Sequence, residues 1–271
     1  MADAEDGGPA GPVRPTGEAA AESVTEDALL GGRVRLLQPA RGHRAGTDAV
    51  LLAAAAPVRP GERVADVGAA TGAVGMMIAA RVPAALVFVE RQPALAELCR
   101  RNLALNGVEG TVVVADVLDP ASRRAAALDP ESADVVVTNP PFLEAGEARV
   151  SPDGGRAAAH VLRARGLEDW LRACAGLLKP RGCLALIHRA DRLDRCLGAL
   201  GRGFGGHRLR FVHPAADRPA IRVLMTAVKA SRAPLAVLPP VLLHDASGRF
   251  TPEAERLHRG EAGLAGDFDP G

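Results

Sequence analysis

"RVADVGAATGAVG", residues 63–75, sets out the architecture in thirteen positions. Arg63-Val-Ala-Asp-Val reads as a short strand, and Gly68-Ala-Ala-Thr-Gly72 as a turn. Ala73 to Arg81 has helical spacing, with Pro83 just beyond. Strand, glycine turn and helix in that order form the opening unit of an α/β sheet. Glycines at such a junction have two readings. They are a tight turn and nothing more, or they let backbone approach a ligand in front of a helix N-terminus.

The flanking sequence repeats the unit. Before it, Thr47 or Asp48 can cap a helix that Pro57 closes. After it, strands are expected at 86–90, 111–116, 133–138 and 183–188. Helices are expected from Pro93 to Asn106-Gly107, over 167–178 and over 191–200. Two last strands, 207–213 and 220–228, close a hairpin through Asp217-Arg-Pro219. The fold class expected is α/β: a seven-stranded, mostly parallel, Rossmann-like sheet with one antiparallel strand and helices on both faces. Residues 1–24, rich in Gly, Pro, Ala and acid, read as a disordered tail. Residues 25–236 form the domain, and 237–271 a partly ordered extension.

Composition narrows the classes. At 48% hydrophobic, 271 residues can bury a sizeable core. Residues 1–150 carry 14 Lys/Arg against 20 Asp/Glu, and residues 151–250 carry 17 against 7. The basic half either meets a polyanion or is arginine scattered over solvated faces. Cys99, Cys174, Cys183 and Cys196 have no metal-site spacing and fit reduced, buried thiols of a cytoplasmic protein, so no metal is expected. No apolar run reaches the ~18 residues that span a bilayer, and the N-terminus lacks an apolar signal core, so no membrane partner is expected.

In open parallel sheets ligands bind beyond the carboxyl ends of the strands, where strand order switches. Four successive strands end in polar or special residues: Asp66-Val-Gly68, Glu90, Asp116, and Asn139-Pro140-Pro141-Phe142. Each alone reads equally as a turn, a helix cap or a solvated edge. Glu90 follows Gly68 by 22 positions, a spacing at which a carboxylate reaches ribose hydroxyls.

In sequence, these motifs resemble the class I S-adenosylmethionine-dependent methyltransferases over roughly residues 30–230. The resemblance implies S-adenosylmethionine as cofactor. It places Asp66 and the backbone of Gly68 at its methionine part, Gly72 in the cofactor loop, Glu90 at both ribose hydroxyls and Asp116 at the adenine amino group. Ala70 stands where the family has its middle glycine, and a positive φ there would strain it. Asn139-Pro-Pro-Phe142 is similar to the motif of enzymes that methylate planar nitrogens. With "LLGGRVRLLQPARGHRAGTDAVLLAAAAP", residues 29–57, it is similar to the bacterial family that methylates adenine N6 beside the anticodon of a valine tRNA. Gly46-Thr47-Asp48 belongs to that resemblance, and Thr47 and Asp48 are assigned by it to the cofactor site.

The chemistry implied is positioning. The catalytic set is Asn139, Pro140 and Phe142, with Asn139 also touching the cofactor. The Asn139 oxygen and the Pro140 carbonyl would accept the two N–H groups of an exocyclic amine, and Phe142 would stack a flipped base. The partner implied is RNA, a tRNA by the family. Its phosphates would meet Arg156, His160, Arg163, Arg165, Arg202, His207, Arg208, Arg210, Arg218 and Arg222. Two other readings are a protein glutamine-amide methyltransferase, which usually carries a helical recognition domain before the cofactor loop, and a cofactor-binding module without catalysis. Trp170 reads as core rather than as a base platform.

Overall fold

A computed structural model describes residues 23–42, 44–140 and 166–268. Strand β1 (Val24–Leu29) turns through Gly31 and Gly32 into β2 (Val34–Pro39), a separate antiparallel pair. Helix α1 (Thr47–Ala55) leads into β3 (Arg63–Val67), α2 (Ala73–Ala79), β4 (Ala85–Glu90), α3 (Pro93–Asn106) and β5 (Gly110–Val114). Then come α4 (Pro120–Ala125) and β6 (Ala133–Thr138). Beyond residue 165 lie α5 (Leu167–Leu177), β7 (Leu178–Arg189), α6 (Leu193–Leu200), β8 (Phe204–His213) and β9 (Arg222–Lys229). The short strands β10 (Ala236–Val237) and β11 (Val241–Leu242) precede α7 (Pro252–His258) and α8 (Ala265–Phe268).

The main sheet has the order β10-β8-β9-β7-β6-β3-β4-β5, with β11 also on β8. Only β9 runs against its neighbours; β10 and β11 lie parallel to β8. The seven strands expected are all present, and β10 and β11 bring the sheet to nine. Two residues are too few to show an alternating pattern, so these two left no signal.

Alternate strand residues feed opposite layers. Val64, Val135, Val137, Ala185 and Ile187 join the core beneath α1, α2 and α3. Ala65, Val136, Leu184 and Leu186 join the core beneath α5 and α6. Leu257, Leu264 and Phe268 are buried in the first of these cores, so the C-terminal segment covers α1. Each such side chain contributes ~1.5–3 kcal/mol by burial. All four cysteines are buried and free. Among the described residues no helix is long and apolar enough to cross a membrane, and no three His, Cys, Asp or Glu come together as metal ligands.

The cap of α1 differs from expectation. Gly46 occupies the N-cap, and Thr47 and Asp48 lie inside the first turn. Their side chains are engaged elsewhere: Thr47 Oγ1 lies 3.1 Å from His258 Nε2, and Asp48 accepts from Arg222 Nε at 2.9 Å.

Candidate active site

Four parallel strands bring their C-terminal ends level. Val67 lies opposite Val89 on one side and Thr138 on the other, and Glu90 opposite Val114. Across the sheet the order is therefore Asp116, Glu90, Gly68, Asn139. With strands about 4.8 Å apart, this row spans roughly 15 Å. The chain leaves β3 toward β4 and returns on its other side as β6, so the row straddles the switch in strand order.

Glu90 is anchored rather than solvated. It is 6% exposed, and its two oxygens accept from Ala70 N (2.9 Å) and Gln92 N (2.8 Å). Each oxygen keeps a second lone pair, so two hydroxyls can donate to a carboxylate that cannot swing. The bond from Ala70 also ties the glycine turn to β4. Ala70 has φ +49°, the left-handed conformation that L side chains rarely adopt.

Asp66 is 3% exposed and accepts from Gly75 N at 3.0 Å, the first turn of α2. Burial pushes its carboxyl up to about 7, against the Gly75 bond that lowers it, and the nearby Glu90 charge adds to the rise.

The glycines are also required by their protein neighbours. A Cβ on Gly68 would lie 3.0 Å from Trp170 Cζ2, and on Gly72 2.6 Å from Cys99 Sγ. A Cβ on Gly75 would lie 2.3 Å from Phe88 Cε1. The missing side chains make room for protein, and they press α2 onto β4 and Trp170 onto the turn.

Asp116 is half-buried, and its Oδ1 accepts from Leu118 N at 2.9 Å while its own N–H donates to Ser122 Oγ. Its other oxygen stands at the β5 end of the row. At the opposite end, Asn139 Oδ1 is buried and has no hydrogen-bond partner among the described residues. Pro140 beside it is buried. Phe142 lies outside the described residues, as do Arg156, His160, Arg163 and Arg165.

Two contributors escaped the sequence reading. Thr138 Oγ1 donates to Val67 O (2.9 Å) and accepts from Trp170 Nε1 (2.9 Å). Trp170, core as expected, thus clamps the ends of β3 and β6 together beneath the row. The second is His188 at the end of β7, two residues beyond Leu186, which pairs with Thr138. Burial, foremost, holds its pKa below the ordinary value. The strand-terminal His in "CLALIHR" was its signal.

The basic residues of the terminal strands do not form an open patch. Arg210 is 6% exposed and pairs with Asp267 at 2.7 Å, Arg222 pairs with Asp48, and Arg208 donates to Asp267 O. Arg210 and Arg222 are ion-paired and fasten the C-terminal segment and α1, and Arg208 is tied to the same segment through a backbone carbonyl. His207 is partly buried in β8, and burial lowers its pKa. Arg202 is exposed but sits at the start of β8, the far end of the sheet. Arg218, exposed in the turn after β8, sits at the same end as the row.

A carboxylate anchored for a diol, a buried acid and an unpartnered amide oxygen fit S-adenosylmethionine beside a donor group. Fold and site define a class I S-adenosylmethionine-dependent methyltransferase. Residues 44–167 match the methyltransferase small domain. The tRNA1(Val) (adenine(37)-N6)-methyltransferase of Porphyromonas gingivalis is 33% identical over 228 residues, 79% of this chain and 86% of that protein. That of Erwinia tasmaniensis is 33% identical over 190 residues, 67% of this chain and 74% of that one. The crystal structure of a protein from Agrobacterium tumefaciens, described as a predicted O-methyltransferase, has 33% identity and a TM-score of 0.66. That match covers 80% of this chain and 97% of the other. The chain belongs to the family of the tRNA1(Val) (adenine(37)-N6)-methyltransferases.

Proposed function

We propose that this enzyme methylates N6 of an adenine in a tRNA loop, with S-adenosylmethionine as methyl donor. One observation carries the reading: the buried Asn139 oxygen at the end of β6 lacks a partner among the described residues. A buried acceptor left unsatisfied costs ~1–3 kcal/mol, which a donor arriving with the substrate would recover. An exocyclic amine supplies one.

The cofactor supplies an electrophilic methyl on a sulfonium. The chain's work is to hold and aim. Glu90 accepts from the ribose hydroxyls, Asp116 from the adenine amino group of the cofactor, and Asp66 faces its methionine part. Thr47 and Asp48 support this site from the first turn of α1 rather than through free side chains, since His258 and Arg222 occupy them. Asn139 Oδ1 and the Pro140 carbonyl accept the two N–H groups of the target amine. Its lone pair, otherwise delocalised into the ring, then faces the methyl, and the two acceptors stabilise the positive charge that develops on nitrogen. A hydroxyl has one hydrogen and would leave one acceptor unused, which favours nitrogen over oxygen as the target. Phe142 stacks the flipped base, worth ~1–3 kcal/mol. A tRNA loop offers such a base at low cost because it is already splayed. Arg218, exposed at the same end of the sheet, would meet backbone phosphate.

The test is to incubate the enzyme with labelled S-adenosylmethionine and unmodified total tRNA, and in parallel with total protein. Label in N6-methyladenosine of tRNA is the outcome expected. Label in glutamine of protein would replace this reading by the amide methyltransferase, and label in neither would leave a binding module.

A further inference from the structure

We propose that a cavity at the far end of the sheet binds a phosphate group, with Arg81 and Arg33 as its ligands. The cavity encloses about 420 Å³ between the last turn of α1, the residues after α2 and the loop at 260–263. It is separate from the row of strand ends. Helix α2 begins at Gly72 beside that row and runs away from it for its full length, ~10 Å, and Arg81 follows its last turn.

Arg81 is held from one side only. Its Nη1 donates to Ala262 O at 3.1 Å, while Nε and Nη2 are buried with no hydrogen-bond partner among the described residues. Those two nitrogens share one edge of the guanidinium, the edge that grips an oxyanion through two parallel bonds. Arg33 lines the same cavity and is fixed by a 2.6 Å bond from its Nη2 to Gly260 O. The two cations oppose each other: burial first, and then the Arg33 charge, lower the pKa of Arg81. Gly260 gives Arg33 its space, and Gly263 lies in ordinary contact with Arg81. A Cβ on Gly260 would lie 2.0 Å from Arg33 Nη2, and on Gly263 3.5 Å from Arg81 Nη1.

The cavity lining carries one acid, Glu261, which is exposed, so the arginines outweigh it. The unpartnered Nε and Nη2 of Arg81, with the Arg33 guanidinium lining the same cavity, match a tetrahedral anion, whose several oxygens can serve both cations; a carboxylate would fill one fork and leave the other charge uncompensated. A cavity of this volume exceeds inorganic phosphate, so the group arrives on a larger molecule, either a free organic phosphate or the phosphodiester backbone of RNA.

The experiment titrates inorganic phosphate into the full-length protein and into Arg81→Met and Arg81→Lys, at matched ionic strength, by calorimetry and thermal unfolding. Phosphate should bind and raise the Tm of the wild type. Arg81→Met should abolish the response. Arg81→Lys keeps the charge without the fork, so affinity should fall at least ~10-fold. Arg33→Met, at an exposed residue, carries the same test should Arg81→Met fail to fold. A second arm measures tRNA affinity against salt. If the site takes backbone phosphate, Arg81→Met lowers tRNA affinity and reduces the slope of log K against log salt by just under ~1. If it takes a free phosphate, tRNA binding is unchanged and only the phosphate response is lost. Identical phosphate and tRNA responses in wild type and variants would overturn the proposal.

Discussion

Replacing Asp66 by Asn should make the cofactor-free protein more stable, by an amount that grows with pH. In the unfolded chain this carboxyl titrates near its ordinary 3.8; in the fold, burial holds it up to about 7. Below 3.8 both states carry the proton, and the group contributes nothing. Between the two values the unfolded chain is ionised and the native one is not, so native stability falls as pH rises. Above 7 the full cost is present, roughly three units at 1.36 kcal/mol each, or about 4 kcal/mol. Asparagine keeps an oxygen for the Gly75 N–H and has no charge to bury. Urea unfolding at pH 4.5, 6 and 8 should therefore give a gain of only ~1 kcal/mol at the lowest pH and of up to ~4 kcal/mol at the highest. In a domain of this size that is on the order of 10 °C in Tm. The same substitution should weaken S-adenosylmethionine if Asp66 faces the cofactor as proposed. A stability difference that does not change with pH would refute the reasoning and mean Asp66 titrates normally.

Other substitutions read separate parts of the site. Glu90→Ala removes the acceptor for Ala70 N, Gln92 N and the ribose, and should weaken cofactor affinity by ~1.5–3 kcal/mol in calorimetry; unchanged affinity would put the ribose elsewhere. Ala70→Gly relieves a φ of +49° and should raise stability by up to ~1 kcal/mol in denaturant unfolding, with cofactor binding equal or tighter; a loss on both counts would contradict the strain. Gly75→Ala places a methyl 2.3 Å from Phe88 Cε1 and should lower Tm sharply, while Gly198→Ala, with nothing within 4 Å of its Cβ, should not.

The strand ends were legible because each rests on local chemistry. Pro93 at the start and Asn106-Gly107 at the end delimit α3, and Ala133–Thr138 is a β-branched run stopped by Asn-Pro; both elements have the bounds expected. The N-terminal hairpin was not seen. "VTEDAL" has three polar residues in a row and no buried position, and Gly31-Gly32 was the only turn signal. The arginines were misread for a reason of distance. Arg222 and Asp48 are 174 positions apart, and Arg210 and Asp267 57 apart, so no local pattern shows that these charges are matched. The glycines of the cofactor turn were recognised by spacing, but the neighbours that require them, Trp170, Cys99 and Phe88, come from three other elements.

The central claim is that Asn139 accepts from the target amine, and single-turnover methylation of unmodified tRNA by Asn139→Ala tests it most directly. The lost acceptor serves charge that develops in the transition state, so the effect should fall on turnover rather than on binding. The rate should drop at least ~10²-fold, by analogy with deleting one preorganised group from an oxyanion hole, while S-adenosylmethionine affinity measured in parallel stays near normal. Turnover close to wild type would mean that β6 ends in a turn and nothing more, and that the unpartnered oxygen has no part in methyl transfer.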